Sequence, residues 1–334
     1  MNKTVIILGA GASVESGIPA QESFINEAIK IVLKRKNELE NAEFYSSLIQ
    51  SFRYNYYNTK NIEDLYNAVE VLTDFPFLDL NSITNPQFGI MQTANLRPAR
   101  YLQEAIQFLI VNLLKSLLKK PDDFGFNAYK KLVDQFNGSI ITFNWDNLVE
   151  QACRSIGKKF DTYCDANNSK IILIKLHGSI DWNYNLEEKS ENIILDDDLT
   201  QKTVWERKNN DKKLYLSPIL IFPNYTKSKQ LDQFGSLMYR LWDNALELLS
   251  NAEKIIFIGY SLPITDFDAT ILLQHSLLKN SNSNLEIVVV DPFLNNELKN
   301  RYKYLKEISQ KNIRLKFERI KFSEYVNARR FIIN

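Results

Sequence analysis

The chain has 334 residues and a formal net charge of +1, because 41 lysines and arginines nearly balance 40 aspartates and glutamates. Its hydrophobic fraction of 45% and charged fraction of 24% are typical of a globular protein and exclude disorder as the main state. The length predicts one large domain or two modest ones. A near-neutral chain carries no global electrostatic signature for nucleic acid, so no direct nucleic-acid binding is predicted.

The cysteine and histidine content limits the metal chemistry. Only Cys153, Cys164, His177 and His275 are present, which excludes a disulfide scaffold, a four-cysteine zinc site and a multi-histidine site, so no metal is predicted. No apolar stretch approaches the roughly 18 to 20 residues of a membrane span. The first apolar run ends at Gly9 and is too short for a secretory signal, so we expect a buried first strand and a cytoplasmic protein.

Short, continuous apolar runs recur along the chain and are typical of strands buried on both faces of a parallel sheet. They lie at 4–8, 139–143, 171–176, 254–258, 285–290 and, with a weaker pattern, 313–320. Helical patterns separate several of these runs, and the clearest is 237–250, with apolar residues at helical spacing. This alternation predicts an α/β fold built on a Rossmann-like, doubly wound parallel sheet.

One long stretch, 22–135, interrupts the alternation because it contains no convincing strand. Its patterns predict helices at about 22–39, 43–57, 62–74 and 99–119, and Asn61 is placed as the N-cap of the third. We therefore predict a core formed by 1–21 and 136–334, with a helical module inserted at 22–135. A second insertion, at about 183–213, is polar and has the composition of a solvated surface excursion.

A glycine-containing loop follows the first strand. Glycines let a backbone turn tightly and approach a diphosphate closely, and the helix that follows offers free N–H groups, although a plain tight turn explains many such loops. The usual dehydrogenase fingerprint places glycine where Val14 stands and an acid about 20 residues further on, where this chain predicts helix. A dehydrogenase is therefore disfavoured, while a dinucleotide ligand is still predicted. Asp291, at the end of a strand, is placed as a ribose-binding acid or as part of a turn with Pro292.

Five elements in order along the chain resemble motifs of the sirtuin (SIR2) superfamily. They are Gly9-Ala10-Gly11-Ala12-Ser13 with Ser16-Gly17-Ile18-Pro19, Asn144-Trp145-Asp146, His177-Gly178, Gly259-Tyr260-Ser261 and Asp291. Sirtuin deacetylases also carry two CxxC pairs and an Asp-Phe-Arg after Gly-Ile-Pro, whereas this chain has no such cysteines and continues with Ala20-Gln21-Glu22. The closer resemblance is to the bacterial SIR2-like proteins of antiviral defence, which lack the zinc ribbon and hydrolyse NAD⁺.

The resemblance implies a role for each matching residue. His177 is the expected proton shuttle, since imidazole titrates near pH 6.5, although a hydrogen-bonded structural histidine is the alternative. Asn144 would hold the nicotinamide ribose or the attacking water, and Asp146 would stabilise a cationic transition state or cap the next helix. The expected NAD-binding residues are Gly9, Ala10, Gly11, Ala12, Ser13, Ser16, Gly17, Ile18, Pro19, Gly259, Ser261 and Asp291, with Ser261 alternatively a turn former before Pro263.

The function implied by this resemblance is NAD⁺ glycohydrolysis to nicotinamide and ADP-ribose, used to deplete NAD⁺ during phage infection. Such an activity is toxic unless restrained, so a homo-oligomer or a partner defence subunit is expected as its regulator. Two alternatives remain open at this point. One is a catalytically silent subunit that senses NAD or ADP-ribose, and the other is an NAD-dependent protein deacylase or ADP-ribosyl transferase.

Overall fold

The structure is a computed structural model. It describes residues 3–55, 57–74, 98–119, 121–162, 170–185, 194–195, 207–209, 212–214, 216–222, 234, 236–309 and 312–328. Cys164 and much of the predicted polar insertion lie outside the described residues.

Helices and strands alternate at 138–161 and 216–327, whereas helices follow one another at 21–135. In chain order they are β1 (Thr4–Leu8), α1 (Ala10–Ser13), a 3-10 turn (Val14–Ser16), α2 (Gln21–Lys34), α3 (Ala42–Asn55), α4 (Ile62–Asp74), α5 (Pro98–Leu118), α6 (Asp123–Gln135), β2 (Gly138–Thr142), α7 (Leu148–Ser155), β3 (Phe160–Asp161), β4 (Ile171–Lys175), β5 (Gly178–Asn185), β6 (Ile194–Leu195), β7 (Arg207–Asn209), β8 (Lys212–Leu214), β9 (Leu216–Leu220), α8 (Ser236–Ser250), β10 (Lys254–Ile258), α9 (Phe267–Lys279), β11 (Glu286–Val290), α10 (Asn296–Ser309), β12 (Arg314–Glu318) and α11 (Phe322–Asn327).

Seven strands form one parallel sheet in the order β12-β11-β10-β1-β2-β4-β3, which confirms the predicted α/β fold. The central strand β1 pairs with β2 on one side and β10 on the other, with Val5 opposite Ser139 and Ile255. The chain first extends the sheet on the β2 side and later returns to add β10, β11 and β12. This reversal opens a crevice at the carboxyl ends of the central strands, where ligands of open α/β sheets bind.

The central strands are largely apolar because both faces of the sheet are covered there. Val5 and Ile7 point into a hydrophobic cluster that includes Leu241 of α8 and Leu273 of α9. Ile6, on the opposite face, is also fully buried. A strand covered on both sides loses the alternation of apolar and polar residues, which is why continuous apolar runs marked these strands in the sequence.

The chain divides into two compact units, Met1–Ile18 with Lys120–Asn334, and Pro19–Lys119. The second unit contains α2, α3, α4 and α5, and Asn61 caps α4 through its Oδ1, which accepts a hydrogen bond from the Glu63 N–H at 2.8 Å. The sequence boundary placed α6 in the helical module, but α6 belongs to the first unit. A Cβ added at Gly125 of α6 would lie 2.1 Å from the backbone of Glu15, so α6 packs directly against the turn after the glycine loop.

Part of the polar insertion forms antiparallel strands. β5 pairs with β6 and β9, and β7 pairs with β8 as a separate hairpin. The sequence did not predict β5, because buried polar residues such as Asp181 and Asn183 interrupt its apolar pattern. None of the helices in the ranges given above is long and apolar enough to cross a membrane.

Candidate functional site

Two glycine-containing turns interlock at the carboxyl ends of β1 and β10. Gly9 N–H donates to the Ile258 carbonyl at 3.0 Å, and Gly11 N–H donates to the Gly259 carbonyl at 2.9 Å. A Cβ on Gly9 would lie 2.5 Å from the Tyr260 Cα, and one on Gly11 would lie 2.8 Å from the Gly259 Cα. Both glycines are therefore required for the packing of one turn on the other, whatever ligand the turns hold.

The remainder of the glycine loop forms a tight corner. Its exposed residues are Ala10, Gly11, Val14 and Gly17. Gly17 has a left-handed backbone, with φ of 86°, where it ends the 3-10 turn, and glycine adopts this conformation without a steric penalty. Ile18 is buried, while Pro19 begins the second compact unit. Ser16 is buried, and its hydroxyl has no hydrogen-bond partner within the described part of the chain.

The hydroxyl of Ser13 is the centre of a buried hydrogen-bond network. It donates to Asp146 Oδ2 at 2.7 Å and accepts from Asn144 Nδ2 at 3.0 Å. Its third neighbour is the Tyr129 hydroxyl at 3.0 Å. Tyr129 must be the donor in this bond, because the single hydroxyl proton of Ser13 is already donated to Asp146. A direct contact between this hydroxyl and a phosphate, as expected from the sequence, would require one of these three bonds to break.

Asn144 connects the β2 end to the glycine loop. Its side-chain Nδ2 donates to the Gly9 carbonyl and to Ser13 Oγ, both at 3.0 Å, so both amide protons are used within the protein. The main-chain N–H of Asn144 donates to Thr142 Oγ1 at 3.0 Å, which fixes the backbone of the turn. The acceptor Oδ1 makes no hydrogen bond with the residues that the structure describes. Asn144 therefore offers an acceptor at a fixed position rather than a donor.

Asp146 makes the helix-capping contact that the sequence indicated as one of its alternative roles. Its Oδ1 accepts the Leu148 N–H at 3.2 Å and thereby caps α7, while Oδ2 accepts the Ser13 hydroxyl. Burial raises the pKa of Asp146 above its usual value, opposed chiefly by the positive charge of Lys175. The carboxylate is thus held rigidly, in surroundings that strengthen its interaction with a nearby positive charge.

A buried ion pair lies directly beneath this turn and was not identified from the sequence. Lys175, at the end of β4, donates a hydrogen bond to the Asp146 main-chain carbonyl and pairs with Glu150 Oε1 of α7 at 2.9 Å. Both side chains are almost fully buried. The available signal was a lysine at the end of an apolar strand and a glutamate on an apolar helix face, since buried charges are nearly always paired.

The Glu150 carboxyl should make the stability of the protein depend on pH. Burial raises its pKa to about 7 from an ordinary value of 4.5, with Lys175 opposing the shift. The folded state therefore binds more protons than the unfolded state between these values, and stability falls as the pH rises through this window. We expect Glu150→Gln to flatten the change in unfolding free energy between pH 4.5 and 7, as measured by urea denaturation.

The absolute stability of Glu150→Gln should be lower than that of the wild type at pH 8, because Lys175 then lacks an ionised partner in the interior. Glu247→Gln, an isosteric exchange at an exposed position on α8, is the matched control and should leave the pH profile as it is. An unchanged slope in Glu150→Gln would contradict the pKa assigned to this carboxyl.

His177 follows β4 and is buried at the same edge of the sheet, 3% exposed. Its ring lies edge-on to Phe143, with ring centres 5.1 Å apart, and its Nε2 is 3.4 Å from Asp266 Oδ1. Phe143 in turn stacks on Tyr260 at 4.5 Å, and Tyr260 is the residue against which Gly9 packs. The histidine is thus joined to the glycine loop through Tyr260 and Phe143.

The turn after β10 carries Gly259 and Ser261. Gly259 has φ of 60°, and a Cβ there would lie 2.2 Å from the Ala12 main-chain nitrogen. Ser261 is exposed, and its carbonyl accepts a hydrogen bond from Arg301 Nη1 at 2.9 Å. The Ser261 main chain therefore contributes to the turn, and its exposed position leaves the hydroxyl on the surface of this edge.

Asp291 follows β11 at the same edge. Its Oδ1 accepts the Phe293 N–H at 2.7 Å, which is the turn interaction that the sequence left open as an alternative. The carboxyl is half-buried, and partial desolvation raises its pKa. The turn uses one carboxylate oxygen, so this contact is compatible with a ligand hydroxyl at the other.

The structure joins Ser13, Asn144 and Asp146 by hydrogen bonds at the edge where β1, β2 and β4 end. His177 lies at the same edge, in contact with the ring of Phe143. Ser261 and Asp291 follow the neighbouring strands β10 and β11 at this edge. Within the described ranges no cluster of three or more His, Cys, Asp or Glu side chains is arranged to hold a metal ion.

Comparison with known proteins adds the following. The profile of the SIR2-like domain family matches residues 138–315. Among solved structures, Sir2Tm bound to a propionylated peptide is 16% identical, with a TM-score of 0.41 over 97% of this chain and 90% of that chain. A serine-to-alanine mutant of a Sir2 homologue in complex with ADP-ribose is 17% identical, with a TM-score of 0.44 over 97% and 89%. No curated protein matches the chain.

Proposed function

Because the chain belongs to the SIR2-like domain family, we propose that it is an NAD⁺ glycohydrolase that cleaves the nicotinamide–ribose bond to give nicotinamide and ADP-ribose. The observation that carries the proposal is the network in which Asn144 bonds both the glycine loop and Ser13, beside Asp146, at the edge that also presents His177. Binding alone does not require a histidine and a polar network of this kind at one strand edge.

The proposed reaction requires no electron acceptor. The bond from C1′ of the ribose to the cationic pyridinium breaks with its electron pair going to nicotinamide, which leaves as a neutral molecule. The transition state resembles an oxocarbenium ion, as in glycoside hydrolysis. Water adds its oxygen to C1′, and the proton that it loses passes to His177 and then to solvent.

Each residue around the reacting carbon would have a role that follows from the chemistry of its side chain. Asn144 Oδ1, an acceptor that the described residues leave unused, would hold a ribose hydroxyl or the attacking water. Asp146 would stabilise the positive charge that develops on the ribose, because a fixed carboxylate in a poorly solvated site acts strongly on it. Ser13 and Tyr129 hold these two groups in place and are proposed as positioning residues.

The remaining predicted residues are proposed to bind the diphosphate and the adenosine part of NAD⁺. The diphosphate would lie along the glycine loop, where Ala10 and Gly11 are exposed, and near Gly259 and Ser261. Asp291 would accept hydrogen bonds from the adenosine ribose, as expected at the end of a strand of an open sheet. The further loop contacts proposed from the resemblance are Gly9, Ala12, Ser16, Gly17, Ile18 and Pro19.

In the cell, we propose a cytoplasmic effector that depletes NAD⁺ during phage infection, held inactive by assembly with copies of itself or with a partner defence subunit. No metal is required for the proposed chemistry, and neither a membrane nor a nucleic acid is a proposed partner. This role rests on the resemblance to SIR2-like defence proteins and is separate from the chemistry of the site.

The test is incubation of the purified protein with NAD⁺, alone and with the proteins encoded beside its gene, followed by chromatography. Equal amounts of nicotinamide and free ADP-ribose would support hydrolysis. Modified protein or peptide in place of free ADP-ribose would indicate a transferase or deacylase. Tight NAD⁺ binding by calorimetry, with no turnover under any of these conditions, would indicate a silent sensor and refute the proposal.

Asn144→Ala is expected to lower kcat for nicotinamide release by about 100-fold or more, the usual cost of losing one fixed polar group at a reacting centre. The matched control is Asn112→Ala, because Asn112 is a buried asparagine of α5 whose Nδ2 bonds only its own helix, at the Phe108 carbonyl. Activity of Asn144→Ala within a few-fold of the wild type, at equal folded fraction by circular dichroism, would remove Asn144 from the mechanism.

A further inference from the structure

A buried carboxylate that belongs to none of the family motifs contacts His177. Asp266 precedes α9, is 1% exposed, and places its Oδ1 3.4 Å from His177 Nε2. This separation is within ion-pair distance and slightly longer than a standard N–H···O bond, as is common for catalytic pairs without bound substrate. The pair brings together the end of β4 and the segment between β10 and α9.

The other oxygen of Asp266 is also fixed. Tyr260 donates its hydroxyl to Asp266 Oδ2 at 2.6 Å, and Tyr260 is held by Tyr302, whose hydroxyl donates to the Tyr260 carbonyl at 2.5 Å. The Tyr260 ring stacks on Phe143, which contacts the His177 ring. The carboxylate therefore has a donor on one side and the imidazole on the other, and it cannot rotate without losing one of them.

The backbone between Tyr260 and Asp266 is held in an unusual conformation. Leu262 has φ of 49°, in the left-handed region that costs a branched residue free energy. Arg301 stabilises this turn through the Ser261 carbonyl, and the Asp266 N–H donates to the Pro263 carbonyl at 3.0 Å. A strained turn that is held by these hydrogen bonds places Asp266 at a defined position relative to His177.

We propose that Asp266 is the positioning residue of His177, and that Tyr260 orients the Asp266 carboxylate for this task. The inference rests on the proposed function, because it assigns a supporting group to the histidine of that reaction. An ionised carboxylate accepts the Nε2 proton, so the neutral imidazole has its proton on Nε2 and its lone pair on Nδ1.

Asp266→Asn tests the proposal with a predictable change of tautomer. Tyr260 requires an acceptor, so the asparagine turns its carbonyl towards Tyr260 and its NH₂ towards His177. A donor facing Nε2 favours the imidazole with its proton on Nδ1, which is the opposite tautomer. The exchange keeps the shape of the side chain and reverses the hydrogen bond.

The first measurement is the ¹⁵N spectrum of the full-length protein labelled at histidine, which contains only two histidines. His275→Ala identifies the His177 signals. We expect the proton on Nε2 in the wild type and on Nδ1 in Asp266→Asn. The matched control is Asp181→Asn, which changes an equally buried carboxylate whose oxygens contact Ser179 and Asn147, and it should leave the His177 tautomer unchanged.

The second measurement is steady-state NAD⁺ hydrolysis. Asp266→Asn should lower kcat by about 100-fold with KM changed by less than about threefold, as found for residues that orient a reacting group. In the double variant that also carries Tyr260→Phe, kcat should be roughly tenfold higher than in Asp266→Asn alone, because the asparagine is then free to present its carbonyl to His177. A merely structural role for Asp266 predicts a further loss in the double variant.

The two proposals fail in different ways. An unchanged His177 spectrum in Asp266→Asn would overturn the positioning role, whatever the activity. The expected tautomers in a protein that never cleaves NAD⁺ would support the contact and refute the proposed function. An altered spectrum with full kcat would show that the contact does not serve the reaction, and would also overturn the positioning role.

Discussion

Replacing His177 by alanine is expected to lower kcat for nicotinamide release by about 1,000-fold, within the range that general acid–base groups contribute. His177 is the only histidine at the carboxyl edge of the sheet, and its removal leaves the water without a group that accepts its proton. The measurement is chromatography of NAD⁺ reactions at saturating substrate. Binding should change little, because the imidazole acts on the reacting atoms rather than on the diphosphate or the adenosine.

The chain supplies a matched control for this variant. His275 is its only other histidine, and it is exposed on α9, so His275→Ala should have normal activity and stability. His177→Ala should also stay folded, because the buried Asp266 carboxylate keeps its hydrogen bond from the Tyr260 hydroxyl when the imidazole is removed. Turnover by His177→Ala within tenfold of the wild type would mean that another group accepts the proton, and the mechanism would have to be reassigned.

Gly259→Ala is expected to have the largest effect on the fold of the site. Gly259 has φ of 60°, which alone costs an alanine about 1 kcal/mol. The added Cβ would also lie 2.2 Å from the Ala12 nitrogen and 2.4 Å from the Gly11 carbonyl carbon, both of which belong to rigid backbone. We expect a further loss of about 3 kcal/mol in unfolding free energy and the loss of NAD⁺ binding, because the two turns must separate.

Gly157→Ala isolates the steric part of this cost. Gly157 has a similar backbone, with φ of 67°, but nothing lies within 4 Å of a Cβ built there. Urea denaturation should therefore show a loss of only about 1 kcal/mol, with NAD⁺ binding by calorimetry unchanged. Equal losses in the two variants would show that the turns are not tightly interlocked and that the glycine loop adapts to its neighbour.

The parallel sheet was predictable because burial on both faces leaves a direct mark in the sequence. The run at 254–258 became β10 with the predicted bounds, and Asn61 caps α4 as its position before two acids indicated. The edge at which the site lies was also predictable, since residues that follow parallel strands meet at one side of a sheet. Asn144 and Ser13, which are far apart in the chain, were both predicted as site residues, and the structure joins them by a hydrogen bond.

Residues that act through distant partners were not predictable in the same way. Lys175 and Glu150 look like isolated charges in apolar segments until β4 and α7 are packed together. Ser13 was assigned to a ligand contact. Its hydroxyl instead donates to Asp146 and accepts from Tyr129 and Asn144, which uses all of its hydrogen-bonding capacity. The residues of α6 were assigned to the helical module because the whole stretch 22–135 lacks a convincing strand, and a local pattern does not show to which compact unit a segment belongs.

The sequence by itself determined the α/β class, the places of the glycine-containing and polar turns that follow the strands, and several of the side chains that gather at the carboxyl ends of the strands, because hydrophobic periodicity and strand ends are local properties. Only the tertiary structure decided which groups within that set are committed to one another. The pairing of Asp266 with His177 and of Lys175 with the Asp146 carbonyl depends on distances between segments that are remote in the chain. Hydrogen bonds are short-ranged and directional, and no pattern along a single chain encodes their geometry.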